Sequence, residues 1–333
     1  MRKSSVVIFI SALMMFSCVV GSWAGEKHQW KIGHVRPTGS AIDIDTKWFT
    51  EKISSETNGK ITFAIFPESR LGDYTIVQER CAFGEVEMFI GPFGTAVDKK
   101  VALAFTPFLV RNWVEARKVY SHDSIMLQRM GELLAKQNIK ILGGWPVYFG
   151  GIVLTQAPLH PADPDVFKNM IIRVPPMRSF ELTAKTLGYT PYPITWFYAR
   201  EGLKTGMVEG IIGGGAEGYA GLKDLARYYL PVNDHFEYWF VYMNLELWQS
   251  LSENEQTIIQ NAAREMEMRR YAVAEAEERK SLEQLRDQGT HIVAFSTEER
   301  ANMRKKIRQS VWPLMRKEIG TAFDEVVSSV DGQ

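Results

Sequence analysis

The sequence predicts an α/β protein of two domains, each a sheet flanked by helices, joined by crossover strands and one long helix that braces both halves. Three stretches predict it. Residues 168–215 alternate strand, helix, strand, helix, strand, and residues 30–91 repeat that alternation. From Ser252 to Gln288 neither proline nor glycine interrupts a helical run, and at ~1.5 Å per residue such a helix reaches across two domains. Strands alternating with helices pack as parallel sheets, whose ligands sit just outside the carboxyl ends of the strands. With 333 residues and 45% hydrophobic content, the chain can fill two cores of ordinary size.

The N-terminus reads as a secretory signal peptide over residues 1–24. Arg2-Lys3 is the charged region, Val6 to Val20 the apolar one, and Ser22-Trp23-Ala24 offers small residues for cleavage after Ala24. A lipid-anchored alternative through Cys18 is disfavoured by Phe16 before it and Val19-Val20 after it. Cleavage leaves 37 basic residues against 39 acidic ones, a mildly acidic chain that advertises no nucleic-acid partner. It also leaves Cys81 as the one thiol, so no internal disulfide is expected and stability must come from core burial. No other stretch is long and apolar enough to span a bilayer, so a soluble monomer is expected.

Trp30 to His34 reads as the first strand, followed by the loop Arg36-Pro37-Thr38-Gly39-Ser40. Ile42 to Thr57 has apolar residues at helical spacing and stops at Asn58-Gly59. Ile61 to Phe66 is a strand, Tyr74 to Phe83 a helix ended by Gly84, and Val86 to Ile90 a strand that runs into Gly91-Pro92-Phe93-Gly94. Asn112 to Gln137 is largely helical and Ile139 to Trp145 a strand. Trp145 to Gly151 then crosses to the second domain, and the aromatic-rich Phe236 to Leu245 returns. Between them, Ile171 to Val174 is a strand stopped by Pro175-Pro176, and Phe180 to Leu187 a helix closed by Gly188. Tyr192 to Ile194 is extended, Ala199 to Thr205 a helix, and Val208 to Ile212 a strand ending in three glycines. Ser252 and Glu255 form a capping-box pattern at the head of the long helix. The expected division is residues 25–150 plus 239–278 for the first domain and 151–238 plus 279–330 for the second.

Few residues carry chemistry. Arg173 sits in an apolar strand, and a buried guanidinium needs an anionic partner: either a structural carboxylate or a ligand. Trp196 and Gly213 fall, like Arg173, at strand ends. Gly213-Gly214-Gly215 is followed by Ala216-Glu217 rather than by the lysine and hydroxyl of a phosphate loop. Glu217 is either a partner for a ligand amine or a solvated loop carboxylate, and Arg36 either a second charge at the cleft or a surface residue. The six histidines are scattered, and Asp43 with Asp45 makes no calcium-loop pattern, so neither metal, cofactor nor catalytic nucleophile is expected.

The order Ile172-Arg173-Val174-Pro175-Pro176, Leu187-Gly188, Pro191-Tyr192-Pro193, Trp196 and Leu203 to Gly210 resembles the solute-binding receptors of TRAP (tripartite ATP-independent periplasmic) transporters. Gly33-His34-Val35, Phe66-Pro67 with Leu71-Gly72, Gly84 to Met88, Pro107-Phe108-Leu109 and Leu154-Thr155 match in order along nearly the whole mature chain. The resemblance implies the two-domain periplasmic-binding-protein fold, a periplasmic location, membrane subunits of a TRAP transporter as partners, and closure about a hinge. It implies that Arg173 pairs with a ligand carboxylate and that Trp196 is a pocket aromatic. Two departures stand out. Where the family carries Gln-Glu-Asn this chain has Ile211, Ile212 and Gly213, and a second arginine of the family is Ile152. With polar anchors gone and aromatics at Trp145, Tyr148, Phe149, Trp196, Phe197 and Phe93, of which about half are expected to be plain core, the expected ligand is a small organic acid. It is a monocarboxylate bearing a bulky, aromatic group, received in the space left open at Gly213. A periplasmic enzyme acting on a carboxylate and a sensing subunit of a signalling system are the alternatives.

Overall fold

A computed structural model describes residues 28–331; the signal-peptide reading of residues 1–24 lies outside them. The chain runs β1 (His28–His34), α1 (Ala41–Glu56), β2 (Ile61–Phe66), α2 (Tyr74–Ala82), β3 (Met88–Gly91), a 3-10 turn (Lys99–Phe105), α3 (Trp113–Val119), α4 (Ile125–Ala135) and β4 (Ile139–Phe149). The second half follows with β5 (Gly151–Leu154), β6 (Ile171–Val174), α5 (Arg178–Thr186), β7 (Thr190–Pro193), α6 (Ala199–Lys204), β8 (Gly210–Gly214), α7 (Ala216–Tyr219) and β9 (Tyr228–Leu230). Then come β10 (Phe236–Asn244), α8 (Leu245–Ser250), α9 (Glu253–Asp287), β11 (His291–Ile292), α10 (Thr297–Ser310), α11 (Trp312–Ile319) and α12 (Thr321–Asp331).

Two sheets form, in the orders β2-β1-β3-β10-β4 and β11-β9-β5-β8-β6-β7. They are mixed rather than purely parallel. β10 runs antiparallel to both β3 and β4, and β5 antiparallel to both β8 and β9. The reason is the double crossing: a strand that enters a sheet directly from the other lobe has no helix to reverse it. Every residue of β10 is buried, which suits a central strand covered on both faces. β4 carries Pro146 inside a strand, tolerated because β4 is an edge strand and the register with β10 slips beside it, between Glu237 and Tyr238. All of Phe236–Asn244 belongs to the first sheet, so that return begins slightly earlier than residue 239.

The two crossings are bonded to each other. Gly150 N–H donates to the His235 carbonyl (2.8 Å) and Asn233 N–H to the Gly150 carbonyl (3.0 Å). Gly150 must be glycine, because a Cβ there would meet the His235 ring at 2.1 Å. The third link is α9, 35 residues long and begun by the Ser252–Glu255 capping box. At 1.5 Å per residue it extends about 52 Å. Its first half lies on β4 and α1, where a Cβ added at Gly143 would lie 3.6 Å from Ala263, and its later turns reach α7 of the second lobe. In its later turns, part-buried Glu278 accepts from the Phe149 N–H (2.6 Å) and the Trp113 indole (2.8 Å), fastening the helix to the first crossing. The last three helices lie against both halves: α10 on α5, α11 on the 3-10 turn, α12 on α3 and α4. After residue 279, β11 and α10 lie with the second half, while α11 and α12 lie against the first.

Candidate functional site

Between the sheets lies a cavity of about 530 Å³. The first lobe contributes Arg36 from the loop after β1, Tyr74 at the start of α2, and Phe105. Tyr148, Glu237 and Trp239 come from the crossing strands, and Arg173, Pro175, Met177, Phe180, Trp196, Gly213 and Glu217 from the second lobe.

Arg173 is the third residue of β6, in register with Tyr192 of β7 and Ile211 of β8. Sheet neighbours on both sides fix its backbone, and 1% of the residue is exposed. Its Nε donates to the Ile194 carbonyl (2.7 Å) and Nη1 more loosely to that of Ile212 (3.4 Å). Among the described residues no carboxylate lies within 4 Å of it. Burial pushes its pKa down, with the Tyr74 and Tyr219 phenols opposing, yet a guanidinium stays protonated in protein surroundings. The structural-carboxylate alternative for Arg173 is thus not what the fold provides.

Arg36 is different. Its Nη2 pairs with Glu217 Oε2 at 2.8 Å across the cleft and donates loosely to Tyr148 Oη (3.4 Å). Burial opposes its charge, but Glu217, Tyr148 and Glu237 outweigh burial and raise its pKa. Both guanidiniums reach the same ring: Arg36 Cζ lies 5.5 Å and Arg173 Cζ 5.6 Å from the Trp196 centroid, with Arg36 also 5.1 Å from that of Trp239.

Below them, His235 lies between Asp234 (2.7 Å) and Glu237 (3.1 Å). Burial works against the imidazolium, but the two carboxylates raise its pKa to about 10, so it is charged at neutral pH and donates to both. Glu237 also accepts from the Trp239 indole (2.5 Å), which leaves both its oxygens engaged.

Seven of the residues singled out from sequence line this cavity: Arg36, Tyr148, Arg173, Trp196, Phe197, Gly213 and Glu217. Four do not. Phe93 is fully buried in the first core against Phe240 and Tyr242. Phe149, one step along β4 from Tyr148, faces the opposite side of the sheet and packs on Trp113 and Phe236. Trp145 stacks behind Trp239, donates to Asp45 (2.8 Å) and carries Arg270 over its face. Ile152 is buried within the second sheet, in register with Leu230. The expectation at Gly213 also changes. It has φ +85°, and a Cβ there would lie 2.4 Å from Pro175 Cγ, so its lack of a side chain makes room for Pro175 rather than for a ligand ring.

The apolar wall is built from other residues. Tyr74 and Phe105 of the first lobe meet Pro175, Met177 and Phe180 of the second, with Phe105 and Phe180 ring centroids 5.9 Å apart. Met177 and Phe180 follow Arg173 closely in sequence and could have been drawn from it. Tyr74 and Phe105 have the local pattern of core residues, and only the apposition of the lobes brings them here.

Two lobes facing each other across a half-open cavity, with three chain connections between them, are the architecture of a solute-binding protein. Residues 32–318 match the family described as bacterial extracellular solute-binding protein, family 7 (DctP), and the chain belongs to it. It is 25% identical to the sialic acid-binding periplasmic protein SiaP of Vibrio cholerae, over 71% of this chain and 73% of the relative. It is 22% identical to the C4-dicarboxylate-binding periplasmic protein DctP of Rhodobacter capsulatus, over 81% of each. Its fold superposes with a TM-score of 0.83 on a TRAP periplasmic solute-binding protein of Desulfovibrio salexigens solved with orotic acid, at 19% identity and covering 92% of this chain and 98% of the other. This is a TRAP solute-binding protein, of a family whose members bind small organic acids and work with membrane subunits.

Proposed function

We propose that the chain is the periplasmic receptor of a TRAP transporter for an organic monocarboxylate with a bulky, ring-bearing group, which it delivers by hinge closure to the membrane permease. The observation that carries this reading is Arg173: a buried guanidinium facing the cavity, held by two carbonyls, with no anionic partner among the described residues. It calls for one carboxylate. The other cavity ions argue against a second. Arg36 is already paired, and Glu68, Asp73, Glu217 and Glu237 line the same space, so another carboxylate would meet more acid than free base. Tyr74, Phe105, Pro175, Met177 and Phe180 offer an apolar seat worth about 25 cal/mol per Å² of ligand surface buried. Orotic acid in a structural neighbour is compatible with such a ligand. Trp196, ringed by the two arginines and Tyr219, serves as their platform.

A thermal-shift screen of 3-phenylpropionate and indole-3-acetate against succinate and malate tests the ligand class. Ring acids stabilise the protein more than the dicarboxylates do. Stabilisation by succinate or malate with none by the ring acids overturns the reading.

A further inference from the structure

We infer that Glu217 is the residue that makes the cavity selective against dianions: by neutralising Arg36 from the opposite lobe, it leaves one buried cation available where two are present. The inference rests on the monocarboxylate reading above and names the side chain that enforces it. It begins from an asymmetry. Two guanidiniums, Arg36 and Arg173, line the cavity, with their Cζ atoms 5.5 and 5.6 Å from the same indole centroid, so both address one stretch of the cavity wall. Geometrically this is a site for two carboxylates. Electrostatically it is not, because Arg36 meets Glu217 Oε2 at 2.8 Å whereas Arg173 meets no carboxylate among the described residues.

Glu217 is suited to that part. It stands in α7, directly after the triple glycine that ends β8, and Gly218 beside it lets the guanidinium approach: a Cβ at Gly218 would lie 3.1 Å from Arg36 Nη2. Its side chain is 37% exposed overall with Oε2 buried against Arg36, and an amide of the same shape keeps a polar group at that buried position. The remaining acid near Arg36, Glu237, cannot take over the pairing without breaking its contacts to the His235 imidazolium and the Trp239 indole. Arg36 Nε is moreover buried with no hydrogen-bond partner, so the arginine keeps an unspent donor beside the cavity. An isosteric amide at 217 would therefore return a full positive charge to the cavity without opening a hole.

The test uses the full mature chain and its Glu217→Gln variant, titrated calorimetrically with succinate, malate, 3-phenylpropionate and indole-3-acetate. Succinate or malate affinity rises roughly ten- to a hundredfold in Glu217→Gln, the size of one added charge-assisted bond, and rises by a larger factor than ring-acid affinity does. Arg36→Gln combined with Glu217→Gln abolishes the gain, since the gain runs through Arg36. A folded Glu217→Gln protein whose dicarboxylate affinity equals the parent's overturns the inference, as does a gain that survives loss of Arg36. These outcomes are separable from failure of the ligand class: a parent that ignores the ring acids sinks the monocarboxylate reading, while the change at 217 is still read with succinate.

Discussion

Arg173 is anchored through Nε to a backbone carbonyl, which fixes the plane of the guanidinium and leaves its outer edge for the cavity. Lysine would keep the charge but lose both the fork and that anchor. Arg173→Lys is expected to weaken carboxylate binding by about 1.5–3 kcal/mol, and Arg173→Ala by at least as much. Titration calorimetry with whichever acid binds the parent checks this, and unaltered affinity in a folded variant removes Arg173 from the site. This residue was legible in the sequence because an arginine between isoleucine and valine, closed by two prolines, is a local anomaly. Tyr74 and Phe105 were not, because a wall shared by two lobes leaves no mark within either segment. Phe149 shows the converse: on a strand buried on both faces, side-chain alternation decides that Tyr148 meets the cavity and Phe149 does not, and composition does not record it.

At the level of elements, helices and strands were readable wherever a proline, glycine or cap punctuated them. β2 and β6 begin and end where their patterns do, and α9 starts at its capping box. Short strands such as β9, and the direction of β10, depend on what lies beside them and were not. The loop that leads into β10 carries the one buried imidazolium of the cleft. His235 is raised to about 10 from an ordinary 6.5, so the folded state holds its proton more tightly than the unfolded chain. Its contribution to stability is complete below the unfolded value and is lost as pH rises through about 10. The parent should therefore lose stability between pH 7 and 10, and His235→Gln should lose less over that range, with Asp234, Glu237 and the edge-on Phe180 ring as the surroundings that remain. Urea midpoints at several pH values measure this. Parallel slopes for the two proteins would mean the triad does not hold a proton.

For the whole molecule, the burial of Arg173 carries a requirement. A group 1% exposed is hard for a solute to reach, so the proposed hinge closure takes this structure as its clasped form. Small-angle scattering from the liganded protein should match it, and the unliganded protein should scatter as a more extended particle. Identical curves with and without bound acid would exclude hinge motion. On that proposal the bonded crossings and α9 are the parts expected to flex, with each sheet moving as a body. The same threading has a further consequence, in the order of assembly. The first sheet holds β3 and β4 apart until β10 slides between them, and β10 comes from residues 236–244. A nascent chain that has emerged only as far as the second lobe thus displays two unpaired strand edges and an unfilled core. The N-terminal third alone lacks the strand that joins β3 to β4, so a fragment ending before residue 236 is expected to stay open until the chain has gone out and come back.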